Sequence, residues 1–83
     1  MSEKMKDLEI DEELDTRGLF CPEPLFEVRN TSETLKKGSI LKVLADDPAA
    51  EEDLTRWAKR TSTELIEIKK EENDLIFYFR ITK

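Results

Sequence analysis

From Leu8 the chain alternates, with Leu8, Ile10 and Leu14 assigned to one face and Glu9, Asp11, Glu13 and Asp15 to the other, which predicts a strand covered on one side. Glu12 interrupts the inward series. After a Gly18-containing loop the period changes: Leu25, Val28, Ser32 and Leu35 recur at spacings of three and four, the mark of one helix face. Pro22 suits the first helical position, Pro24 the first turn, Lys36 and Lys37 the C-terminal dipole end, and Gly38 the residue just past it. Ile40 to Ala45 is a short apolar run bounded by turn residues and reads as a second strand. Asp47 then offers an N-cap ahead of Pro48, with Glu51, Glu52 and Asp53 near the positive helix end and Ala50, Leu54, Trp57, Ala58 and Thr61 along the inner face.

Two further strands follow. Glu64 to Lys69 places Ile66 and Ile68 inward, and Leu75 to Ile81 places Leu75, Phe77, Phe79 and Ile81 inward, with Glu71-Glu72-Asn73-Asp74 as the hairpin turn. The order β-α-β-α-β-β predicts an α+β fold, a two-layer sandwich in which two helices cover one face of a four-stranded mixed sheet. On the uncovered face the same alternation leaves Ile40, Leu44, Leu65, Ile76 and Tyr78 pointing outward. If contiguous, they form a dimer or docking surface, for which Leu65, Ile76 and Tyr78 are the candidates.

Length and charge narrow the functional classes. A chain of 83 residues has room for one small core, so a polar leader over residues 1–7 and a single domain over residues 8–83 are expected, without a large enclosed active site. Residues 1–15 carry seven carboxylates and two lysines, whereas residues 16–83 are nearly neutral. The globular part lacks the basic excess that drives phosphate-backbone binding, so direct nucleic-acid binding is disfavoured. No run of roughly 20 apolar residues could span a membrane, and the charged N-terminus lacks the apolar stretch of a secretory signal. A cytoplasmic protein is expected.

The candidate chemistry rests on Cys21, the only cysteine. A lone cysteine is more often a small buried hydrophobe than a reactive group, but here Pro22 keeps the thiol out of the helical region, just before a helix start. Backbone N–H groups and the helix dipole there favour thiolate. The chain has no histidine. A Cys-His pair and a two-cysteine redox cycle are therefore both excluded, and a freestanding peroxidase is disfavoured. Glu23 opposes thiolate if its carboxylate turns inward, and Arg17 is the candidate for offsetting it. These features suit a carrier rather than a turnover catalyst: Cys21 takes a sulfane sulfur as a persulfide and yields it to an acceptor. The alternative is a regulatory or interaction module whose cysteine is structural or redox-sensing. Asp46 and Asp47 are explained by helix capping without a metal, and no cofactor is called for.

Leu14-Asp15-x-x-Gly18-Leu19-x-Cys21-Pro22-x-Pro24, followed by Ala45-Asp46-Asp47-Pro48, resembles the TusA family of small sulfur carriers, also called SirA-like, over roughly Leu14 to Ile81. The resemblance implies the β-α-β-α-β-β sandwich and marks Gly18, Cys21, Pro22, Glu23 and Pro24 as motif residues. It also implies a sulfur donor of the cysteine desulfurase or rhodanese type, and an acceptor in tRNA thiolation, molybdenum-cofactor biosynthesis or sulfur oxidation, with relatives linked to selenium metabolism. The chain departs from the pattern at Phe20, where the tRNA-thiolation branch often has arginine, at Ser62, where many members have glycine, and in its first 13 residues.

Overall fold

The structure, a computed structural model, describes residues 10–20 and 23–82. Its elements are β1 (Glu12–Asp15), α1 (Glu23–Glu33), β2 (Ile40–Ala45), α2 (Pro48–Arg60), β3 (Glu64–Glu71) and β4 (Asp74–Arg80). The sheet order is β1-β2-β4-β3, with β1 parallel to β2 and the other pairs antiparallel. The mixed four-stranded sheet and two helices expected from the sequence are present.

The core is built from the alternation of β2 and β4 and the inner faces of the helices. Val28, Leu41, Val43, Ala45, Leu54, Phe77 and Phe79 are fully buried. Phe77 and Phe79 stack with centroids 5.9 Å apart, and Trp57 meets Phe79 edge-on at 5.6 Å, an arrangement the ring quadrupoles favour.

Four local expectations are corrected. The first strand begins at Glu12, and Ile10, assigned inward, is 39% exposed; Leu8 lies outside the described residues. At this point the Asp11 amide donates to the Ile40 carbonyl (2.9 Å), but the Ile40 amide donates to Asp11 Oδ2 (2.8 Å). A side-chain carboxylate thus replaces the backbone acceptor that would have continued the ladder.

The first helix ends at Glu33, before Lys36 and Lys37, so its last turn holds no basic residue. Ser32 Oγ and Thr34 Oγ1 donate to the carbonyls of Arg29 and Thr31, while the amides of Thr34 and Leu35 step back three residues rather than four. Hydroxyls that compete for carbonyls and a tightened last turn are ordinary helix-ending devices. Gly38, at φ +92°, belongs to the following turn and donates its amide to the Ile81 carbonyl.

In β3, Leu65 pairs with Phe79 and Glu67 with Tyr78, leaving Ile66 as the extra residue of a bulge. A bulge resets the two-residue period. Leu65, expected outward, therefore packs against the core together with Ile68.

The open sheet face is the fourth correction. Ile76 and Tyr78 do lie there, but they are only 7% and 9% exposed. In register across the sheet run Asp15, Leu44, Ile76 and Lys69, then Glu13, Lys42, Tyr78 and Glu67. Charged residues end both rows, and the long apolar stems of Lys69 beside Ile76 and of Lys42 and Glu67 beside Tyr78 help cover the hydrophobic residues. The face presents no contiguous exposed apolar patch among the described residues, so the expected dimer or docking surface of Leu65, Ile76 and Tyr78 lacks its basis.

Candidate functional site

Because β1 and β2 run parallel, the loops leaving both strands emerge at the same end of the sheet and both lead into helix N-termini. The start of β4 lies at that end too, since Leu75 pairs with Ala45. The segment leading to Cys21 is fastened to all three neighbours. Thr16, fully buried, gives both its amide (2.8 Å) and its hydroxyl (2.6 Å) to the Leu44 carbonyl. Gly18, at φ +90°, donates its amide to Asp46 Oδ1 at 3.0 Å. A left-handed backbone at this position is one that glycine adopts without strain.

Arg17 is held from two sides. Its guanidinium grips Asp15 with two contacts of 2.9 Å and reaches Asp74 at 3.4 Å. The Arg17 side chain and amide beside Asp15 lower that carboxyl to about 2, and Asp15 in turn raises the Arg17 pKa further above its already high value. Two carboxylates already claim the guanidinium that was the candidate for supporting a thiolate. Its visible work is to tie the loop to β1 and β4.

Cys21 and Pro22 lie outside the described residues, and the residues on either side frame them. The Phe20 carbonyl accepts from the Glu23 amide at 2.9 Å. Glu23 opens α1 with an exposed side chain, which places a carboxylate at the positive end of the helix dipole. Pro24 is buried in the first turn, where its missing N–H costs nothing. Phe20 is 77% exposed, the most exposed large hydrophobic among the described residues, and Phe26 one turn into α1 is 49% exposed. At the neighbouring helix, Asp47 caps α2 by accepting the Ala49 amide at 3.1 Å, and Pro48 follows as predicted.

The sequence reading of Gly18 and Pro24 as loop and helix-start residues agrees with their places here, but it missed three members of the frame. Asp46 was read only as a neighbour of the N-cap, yet its carboxylate anchors Gly18. Thr16 and Asp74 carried no signal, because their partners lie 28 and 57 residues away. The exposure of Phe20 had a signal: an aromatic in a loop, outside either hydrophobic period. Among the described residues no helix is long and apolar enough to cross a membrane.

Comparison with known proteins agrees with this geometry. A family model described as sulfurtransferase TusA matches residues 12–83. A putative sulfur carrier protein of Archaeoglobus fulgidus is 42% identical over 72 residues, covering 86% of this chain and 94% of that protein. The sulfur carrier protein TusA of Allochromatium vinosum is 39% identical over 75 residues, covering 90% and 96%. The crystal structure of a SirA-like protein from Desulfitobacterium hafniense superposes with a TM-score of 0.76 over 87% of this chain and 99% of that one; at 19% identity it speaks for the fold alone.

Proposed function

The chain belongs to the TusA family of sulfur carriers, and from that premise we propose that it holds sulfane sulfur as a persulfide on Cys21 and passes it between a donor and an acceptor protein. The observation that carries this reading is the frame around the cysteine: a loop fastened through Thr16, Arg17 and Gly18, closed from Phe20 to Glu23, at the start of α1.

The chemistry is a pair of exchanges. The Cys21 thiolate attacks the terminal sulfur of a donor persulfide; a new S–S bond forms as the old one breaks, and the donor leaves as its thiolate. An acceptor nucleophile then takes the terminal sulfur, and Cys21 leaves as thiolate. Neither step needs an outside oxidant or reductant. With no histidine and no second cysteine, this chain supplies the carrying sulfur, and acid-base work falls to the partner. A donor of the cysteine desulfurase or rhodanese type fits, as does an acceptor in tRNA thiolation, molybdenum-cofactor synthesis or sulfur oxidation. A cytoplasmic setting, which keeps thiols reduced, belongs to the same proposal. Exposed Phe20 beside the cysteine suits contact with a partner protein.

The test is intact mass spectrometry under non-reducing conditions after incubation with a cysteine desulfurase and cysteine. Gain of one sulfur atom by the wild type and none by Cys21→Ser is expected. No gain from desulfurase, polysulfide or thiosulfate, or equal gain by the serine variant, would refute the proposal.

A further inference from the structure

A pocket of about 340 Å³ lies between α1 and α2. Its apolar lining comes from Leu25, Trp57 and Ile81, and its cationic lining from Arg29 on α1 and Arg56 and Arg60 on α2. Glu33 and Asp53 also line it. Asp53 sits 3.9 Å from Arg56, which is further paired with Glu52 at 2.6 Å. Arg29 and Arg60, in contrast, form no ion pair among the described residues. The Arg29 guanidinium lies 6.0 Å from the Phe26 ring centroid. A chain of net charge -6 thus gathers three guanidinium groups around one cavity.

A second feature lies on one of the lining residues. Trp57 is 7% exposed, and its Nε1 donor is buried with no acceptor among the described residues. An unpaired buried N–H is destabilising, and such groups in folded proteins call for an explanation. Guanidinium groups are suited to planar, bidentate recognition of carboxylates. The cavity volume falls at the small end of the ~300–1,000 Å³ range of small-molecule sites, which limits an occupant to a single ring or a short branched chain.

We propose that the groove between α1 and α2 binds a carboxylate carried on a small apolar body, with Arg29 and Arg60 receiving the charge and Leu25, Trp57 and Ile81 the apolar part. A free organic acid and the C-terminal residue of a peptide share this chemistry. No residue of the 16–20 loop lines the groove, and the proposal needs no sulfur on Cys21.

Trp57 is the only tryptophan, so its fluorescence and its single indole N–H resonance report on the groove directly. The experiment titrates full-length protein with phenylacetate, with phenylacetamide as the neutral isostere, and with acetyl-Ala-Phe bearing a free or an amidated C-terminus. Phenylacetate should move both signals saturably, and phenylacetamide should bind about tenfold more weakly. Arg60→Gln and Arg29→Gln, both at exposed helix positions, should each weaken binding about fivefold, the order expected of a partly exposed charge pair. Lys59→Gln, outside the groove, should not. Tighter binding of the free-acid peptide than of phenylacetate assigns the site to a peptide terminus; equal or weaker binding assigns it to a small acid. The proposal is overturned by the absence of a saturable change, by an equal response to acid and amide, or by wild-type affinity in both glutamine variants.

Discussion

Replacing Ser62 with glycine should stabilise the protein. At the end of α2 the Thr63 amide reaches back to the Ala58 carbonyl (2.9 Å) and the Ser62 amide to the Lys59 carbonyl (3.3 Å). This is a Schellman closure, and it puts Ser62 at the position that glycine usually fills. Serine is held there at φ +60°, in the left-handed region. An L-residue with a Cβ is disfavoured in that conformation by roughly 1–2 kcal/mol. Against this, glycine costs about 0.4–1 kcal/mol through the added freedom of the unfolded chain. At the middle of these two ranges the balance is about 0.8 kcal/mol in favour of glycine, a rise in Tm of about 3–6 °C for a domain of this size. Ser62→Ala keeps the Cβ and should change little, while Ser62→Val adds a branched side chain to the same backbone and should destabilise. Thermal and urea unfolding of the three variants, followed by circular dichroism, tests the ranking. A glycine variant no more stable than wild type, with alanine its equal, would refute the claim that backbone strain at this cap is what the substitution relieves.

Three further outcomes are expected. Asp46→Ala should leave the Gly18 amide without its acceptor, lowering stability by about 1 kcal/mol and raising hydrogen exchange at Gly18; unchanged Gly18 protection would rule out the anchoring role. Asp15, held at about 2 against an ordinary 3.8, has a depressed folded value, so its contribution is complete above an ordinary carboxyl pKa and is lost as pH falls toward the folded one. A carboxyl titration by NMR should place its midpoint well below the ordinary carboxylate value, and Arg17→Gln should return it to the ordinary range; a midpoint near 4 in the wild type, roughly the unperturbed value, would contradict the ion pair. Leu54→Ala, which empties a fully buried position, should cost about 2–5 kcal/mol in urea unfolding, and a loss below about 1 kcal/mol would mean the helix layer is loosely packed.

The sequence made the second helix legible almost to the residue, because its signals are local: Asp47 and Pro48 at one end, and a clean inner face through Ala50, Leu54, Trp57 and Ala58. Gly18 in its loop and Pro24 in the first turn of α1 were legible for the same reason, since glycine and proline act on the adjoining backbone. What escaped was set by partners distant in sequence. Leu65 was misassigned because the bulge at Ile66 puts the residues on its two sides out of phase, so that Leu65 and Ile68 share a face, and alternation alone carries no mark of it. The first strand was overextended because the carboxylate that ends it, Asp11, looks like any outward-facing residue until Ile40 is placed beside it. Lys36 and Lys37 looked like a helix end, but Ser32 and Thr34 closed the helix earlier through hydroxyl bonds that hydrophobic periodicity does not register. Asp46 and Asp74 became part of the loop's anchorage only once the parallel pair and the hairpin were folded against each other.

The bulge in β3 also bears on how crowded the protein can become. Polymerisation by strand addition needs a flat, open ladder, and both margins of this sheet deny it one. On one margin β1 is four residues long and exposes Glu12, Glu13 and Asp15. On the other, β3 is kinked at Ile66 and carries Lys69, Lys70 and Glu71. The same shape of edge that spares the protein a second strand keeps its four-stranded sheet from becoming a template for its own copies.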